Sequence, residues 1–239
     1  MKTQSAPFFP PSGAFADAVQ SSQNAPPYYI PFERGRFLLR DADLLLVRSG
    51  GVVPWLGRGV HGHVATVARW NSEPFVLETR PGGGRAVPLD AFLRRNPRRV
   101  DVFRPNPDGR WPEYRPERCV AFLRRALSAR YGWRSVFAAA FARLPGTRRL
   151  WGAAYFDDAK FADATSRFPE TCASECLDAV RRLDRERPRR ASFHCAEARA
   201  LADRWAGVDA IPFLSDRFVE PADLARSPFY RYQFTFAAL

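Results

Sequence analysis

A thiol, an imidazole and a carboxylate together support attack on a carbonyl: the thiolate attacks, the imidazole carries the proton and the acid orients the imidazole. Three residues of this 239-residue chain fit those roles. Cys195 lies in Phe193-His194-Cys195-Ala196-Glu197, and Ala198, Leu201, Ala202 and Trp205 then recur at i, i+3, i+4 and i+7. That spacing predicts a helix with one apolar face, stopped by Gly207. A cysteine in the first turn meets unpaired backbone N–H groups and the positive end of the helix macrodipole, both of which favour a thiolate.

Histidines stand at 61, 63 and 194. His63 follows a glycine and opens the apolar-rich segment His63–Arg69, a place where a side chain can face a cleft while the following residues anchor a strand. It is the candidate base. Glu78 ends the next predicted strand, Pro74–Thr79, and a hairpin of these two strands brings its carboxylate toward the same cleft. Singly, each residue has an ordinary role as a strand-start histidine or a solvated strand-end charge. Together, in the order His, Glu, Cys, they form a set suited to covalent catalysis.

The other cysteines are read as free thiols, because the chain has an ordinary size and no secretion signal. Cys119 falls inside an amphipathic pattern and is expected to be a small core hydrophobe. Cys172 and Cys176 are one helical turn apart, without the CxxC or Cys/His spacing of a zinc site, so burial is expected and no metal or cofactor. Thr171-Cys172-Ala173-Ser174-Glu175 also looks like the start of a cysteine-bearing helix. Cys172 stands one position out of register there and is kept as an alternative nucleophile.

Several elements must position these groups. The run Ala42–Arg48 predicts a buried strand closed by Ser49-Gly50-Gly51, and Val52–Gly59 a short helix or loop. His63–Arg69 and Pro74–Thr79 read as antiparallel strands, followed by the turn Pro81–Gly84, a short strand over Arg85–Pro88, a helical turn over Leu89–Arg94 and a strand over Val100–Phe103. A proline-rich loop spans Pro105–Pro116. Helices are predicted over Glu117–Ala129 and Val136–Leu144. Residues 145–191 read as an insertion with its own helix near 171–183. Pro221–Ala225 predicts a helix with proline at its start, and the alternating Tyr230, Tyr232, Phe234 and Phe236 a closing strand. The fold class is α+β, with an antiparallel sheet packed against helices. The expected division is an extended tail over residues 1–33, rich in Pro, Ser, Ala and Gln, and one domain over 34–239.

Composition bounds the partners. With 46% hydrophobic and 26% charged residues the chain is globular, and no run of about 18 apolar residues predicts a membrane span. The N-terminus lacks the apolar segment of a signal peptide, so a cytoplasmic location is expected. The net charge is +12, and all the basic residues except Lys2 and Lys160 are arginine. The arginines are scattered and no nucleic-acid motif accompanies them, so nucleic acid is not an expected partner.

The segments above also resemble a known family, the circularly permuted papain-like hydrolases of the YiiX/YaeF branch of the NlpC superfamily. Asp43–Arg48 with Gly50-Gly51 is similar to its opening strand, Gly62-His63-Val64-Ala65 to its Ser-His-Val-Ala signature, and Val76-Leu77-Glu78 with Gly83, Gly84 and Val87-Pro88-Leu89 to its acid-bearing hairpin. Tyr131-Gly132-Trp133-Arg134, His194-Cys195-Ala196-Glu197 and Glu220–Pro228 resemble later segments, so the likeness runs over about residues 40–236. It implies a circularly permuted papain-like (NlpC-type) fold and a thiol hydrolase with Cys195 as nucleophile, His63 as base and Glu78 as orienter. The implied substrates are peptides, amides or acyl esters, including cell-wall peptides. The sequence departs from the family pattern at Gly62, at Ala196 and at His194, which alters the pocket beside the nucleophile.

A different function class uses the same fold, with or without activity, as an assembly component of a large complex such as a virus particle. On that reading the aromatic-bearing tail is the surface for protein partners.

Overall fold

The computed structural model describes residues 28–50, 59–97, 99–127, 129–143, 192–212, 214 and 216–237. The tail up to residue 27, the segment 51–58, the insertion and the Cys172 alternative lie outside the described residues.

In chain order the strands are β1 (Tyr29–Ile30), β2 (Leu44–Arg48), β3 (His61–Trp70), β4 (Glu73–Arg80), β5 (Gly83–Pro88), β6 (Val100–Pro105), β7 (Arg130–Tyr131), β8 (Ser192–Phe193) and β9 (Tyr230–Phe236). The helices are α1 (Phe32–Leu38), α2 (Leu89–Arg95), α3 (Pro116–Ala126), α4 (Trp133–Arg143), α5 (Cys195–Trp205) and α6 (Pro221–Arg226), with a 3-10 turn over Asp216–Phe218. The fold is α+β. Among the described residues a seven-stranded sheet runs β1-β9-β6-β2-β3-β4-β5, antiparallel except for the β1–β9 pair, and β7 pairs with β8 in parallel beside it.

The run Leu44-Leu45-Leu46-Val47 has no polar residue to mark a solvent face, and β2 occupies the middle of the sheet. Leu44 and Leu46 join one core with Cys119, Phe122 and Leu123 of α3 and Leu201 of α5. Leu45 and Val47 join a second core with Leu89, Phe92 and Leu93 of α2. A strand covered on both faces reads as a continuous apolar run for this reason. Cys119 is fully buried, and burial pushes its thiol up to about 12, so it is an inert part of the core.

Two differences from the sequence expectation come from β-bulges. The four alternating aromatics of β9 should share one face. The β6–β9 register shifts between Val102 and Phe103, so Tyr232 lies opposite Phe103 and Phe234 opposite Val102. Tyr230 and Tyr232 therefore pack toward α5, whereas Phe234 and Phe236 enter the α2 core. A second shift, between Val47 and Arg48, pairs Val47 with His63 and Arg48 with His61, leaving Gly62 as the extra residue. His61 then bonds Asp101 of β6, Nε2 to Oδ2 2.7 Å, and only His63 reaches Glu78.

The expected single apolar face of α5 is also replaced. Every residue from Ala196 to Asp203 is buried. Alanines at 196, 198, 200 and 202 make the helix thin enough to be enclosed by the sheet, α3 and the chain after Gly207. Gly207 adopts φ +110 and ends the helix as expected.

Candidate active site

The start of α5 is set by its cap. His194 holds extended backbone angles, its Nδ1 accepts the Glu197 N–H at 3.4 Å, and the Glu197 carboxylate accepts the His194 N–H at 3.2 Å. This reciprocal pair satisfies two of the helix's unpaired donors. His194 Nε2 lies 3.1 Å from the Arg217 carbonyl and donates to it. The first residue after the cap is Cys195.

A buried network ties α5 to the sheet. Arg199 donates to Asp203 at 2.9 Å, to the Tyr230 hydroxyl at 3.0 Å, to the Ala42 carbonyl at 2.9 Å and to Thr66 Oγ1 at 3.0 Å. Asp203 also accepts from the Tyr230 and Tyr114 hydroxyls. A charged pair this deep does little for stability by itself, but it allows one placement of the helix, and with it one placement of the thiol.

On the other side, β7 and β8 glue residues 130–131 to the segment that leads into His194. Gly132 accounts for that contact: its N–H donates to the Phe193 carbonyl at 3.0 Å, and a Cβ on it would stand 2.9 Å from the His194 nitrogen. No larger residue fits at 132 against the backbone of Phe193 and His194.

His63 and Glu78 come from neighbouring antiparallel strands. Ala65 is opposite Glu78, so His63 meets the carboxylate on the diagonal, His63 Nε2 to Glu78 Oε2 2.8 Å. The Cys195 thiol also lies close enough to the His63 ring for each to shift the other's titration. The three residues singled out from the sequence are thus brought together, the thiol near the imidazole and the imidazole bonded to the carboxylate. A recess lined by Val64, Glu78, Thr79, Leu127 and Cys195 borders it.

The electrostatics follow from these contacts. Burial alone pushes the Cys195 thiol up, but the neighbouring His194 and His63 rings and their charges bring it down to about 5. Burial pushes His63 down, yet its bonds to Cys195 and Glu78 hold it above its ordinary value. For Glu78, burial is outweighed by His63 and Arg80, which draw it down to about 2. With the thiol lowered and the imidazole raised, this combination favours the thiolate–imidazolium form of the pair over the neutral one. Tyr131 is pushed up to about 12 by burial and by the nearby Cys195 charge, so it stays a neutral hydroxyl.

Sequence reasoning missed four groups. Arg80, Arg85 and Arg95 all bond Glu78, at 2.7, 2.7 and 3.4 Å. In a chain so rich in arginine their spacing carries no signal, although Arg85 is the cross-strand partner of Glu78. His194 entered only as a departure from an aromatic, while the structure makes it both the helix cap and a second imidazole on the thiol. Its distance of three from Glu197 matches a capping box, and that was the available signal. Among the described residues no group of three or more His, Cys, Asp or Glu is arranged to hold a metal ion, and no helix is long and apolar enough to cross a membrane.

No family model matches the chain, and neither does any curated protein. Among solved structures, the metalloprotein yiiX from Escherichia coli O157:H7 is similar over 81% of this chain and 96% of its own, with a TM-score of 0.47 and 12% sequence identity.

Proposed function

We propose that the protein is a thiol hydrolase with a circularly permuted papain-like fold, in which Cys195 attacks an amide, peptide or ester carbonyl. The observation that carries this reading is the convergence of Cys195, His63 and Glu78, with the imidazole bonded to the carboxylate and the cysteine in the first turn of a helix. The order and content of the sequence segments that resemble the family support it independently.

The steps follow from the side chains present. The Cys195 thiolate adds to the carbonyl carbon, and the resulting oxyanion is stabilised by the backbone N–H groups at the helix start. His63, held as imidazolium by Glu78, gives its proton to the leaving amine or alkoxide as the C–N or C–O bond breaks. The acyl group is then bound to sulfur as a thioester. Neutral His63 next takes a proton from water, whose oxygen attacks the thioester and releases the carboxylic acid and the thiolate. Glu78 keeps Nε2 of His63 occupied, so that Nδ1 faces the sulfur. His194 caps α5 and is a positioning residue on this reading.

The test is hydrolysis of a panel of peptides, including cell-wall peptides, and acyl esters by the full chain and by its Cys195→Ala variant. The reading requires turnover of at least one class by the wild type and its loss on substitution. Turnover that survives Cys195→Ala sinks the mechanism.

A further inference from the structure

Resting on the hydrolase reading, we infer that Arg80, Arg85 and Arg95 form an oxyanion-binding subsite that takes a carboxylate or phosphate group of the substrate at a set distance from the bond cleaved. Three guanidinium groups converge on the single carboxylate of Glu78. Arg80 shares Oε2 with His63, while Arg85 and Arg95 take Oε1. One negative charge cannot balance three cations, so the cluster carries an excess of two positive charges around Glu78.

Orienting His63 needs none of them. Each arginine lowers the pull of Glu78 on the imidazolium, and ion pairs with side chains this open to solvent, 30%, 41% and 37% exposed, add little stability. Their arrangement suits a ligand better. Arg80 is pinned by Asn96 Oδ1 at 2.8 Å and Arg95 by the Ala91 carbonyl at 3.1 Å, so both forks are held before anything binds. Among the described residues Arg85 engages only through Nε, which leaves its two terminal nitrogens as a planar, solvent-facing pair. That geometry matches an oxyanion bidentately.

The cluster is also close to the reacting sulfur. Glu78 and the His63 ring bonded to it stand between the cluster and Cys195, and Tyr131 lies within electrostatic range of both Cys195 and Arg80. A substrate with its carbonyl at Cys195 and an anionic group several bonds away reaches the arginines across that gap. The class selected is therefore an acidic amide, peptide or ester, in preference to a neutral one.

The test uses alkylation of Cys195 and needs no hydrolysis. N-bromoacetyl probes of graded length end in a carboxylate, a phosphate monoester or a neutral carboxamide; the thiolate displaces bromide from the CH2 carbon, forming C–S as C–Br breaks. Rates are read by mass spectrometry on the Cys195 peptide, as the ratio of anionic to carboxamide probe at equal length, which cancels changes in thiol reactivity. At one optimal length the wild type should favour the anion about tenfold, and Arg85→Gln/Arg95→Gln should remove most of that ratio, as expected for a lost charge-assisted bidentate contact. The larger of the two anionic ratios names carboxylate or phosphate as the ligand.

Added inorganic phosphate should lower the ratio in the wild type, an arm that requires no variant to fold. A ratio that is flat with length and within about twofold of unity, or that survives both the double substitution and phosphate, overturns the subsite. Because alkylation needs only a reactive thiol, a protein that hydrolyses nothing in the panel can still show the ratio, and a hydrolase can lack it.

Discussion

Glu78 Oε2 lies 2.8 Å from His63 Nε2 although the two residues are not partners in the β3–β4 ladder, where Glu78 faces Ala65. The diagonal contact depends on His63 standing next to a bulge, since His61, two residues earlier, is turned to Asp101 instead. The whole site therefore hangs on one extra residue, Gly62, in the register of β2 and β3.

Glu78→Gln tests the orienting role. The amide keeps the size of the side chain but loses the charge that holds His63 up, so the thiolate–imidazolium window should narrow from its alkaline side. Turnover should fall by roughly 100-fold, within the range of one positioned acid–base group. The check is the pH profile of kcat/KM, or of Cys195 alkylation if no substrate is in hand.

The same carboxylate links stability to pH. Its folded value of about 2 lies below its ordinary 4.5, so its contribution is fully present above the unfolded value and is lost as pH falls through the folded one. The shift corresponds to on the order of 3 kcal/mol. Urea unfolding should show the wild type more stable than Glu78→Gln at pH 7, with much of the gap closed near pH 2. An undiminished gap at low pH would show that the contact is worth nothing as a charge.

The two imidazoles on the thiol can be separated. His194→Asn retains a good helix cap and removes one imidazole from beside Cys195, whereas His63→Ala removes the proposed base and its charge. Both should raise the thiol from about 5 toward its ordinary value. Only His63→Ala should also abolish turnover. The thiolate absorbance near 240 nm followed against pH measures the first effect and hydrolysis the second.

Gly132→Ala should cost about 1–3 kcal/mol, the range for overpacking at a filled site. The new methyl would stand 2.9 Å from the His194 nitrogen, so the loss of Cys195 reactivity should exceed what the lost stability explains. Chemical denaturation and alkylation on the same preparation compare the two.

Arg199→Met leaves Asp203 buried without its cation and should destabilise by about 3–5 kcal/mol, while Arg199→Met/Asp203→Leu should recover much of it. If the double variant is no more stable than the single, the pair is not what holds α5 in place.

Local sequence determined the elements and the three groups that meet. The apolar run Leu44–Val47 predicts a buried strand, the i, i+3, i+4, i+7 spacing after Cys195 predicts its helix, and the residue types Cys, His and Glu specify the chemistry that could follow; all are properties of a few neighbouring residues. Pairing register is not, because it is chosen by contacts between segments far apart in the chain. The bulges at Gly62 and in the β6–β9 ladder decided which histidine meets Glu78 and which aromatics face α5. The enclosure of α5 and its tie through Arg199 to Ala42 and Thr66 were equally invisible in a helix that reads as one-sided. So were the three arginines on Glu78, since among many scattered arginines only proximity in space distinguishes those that share one carboxylate.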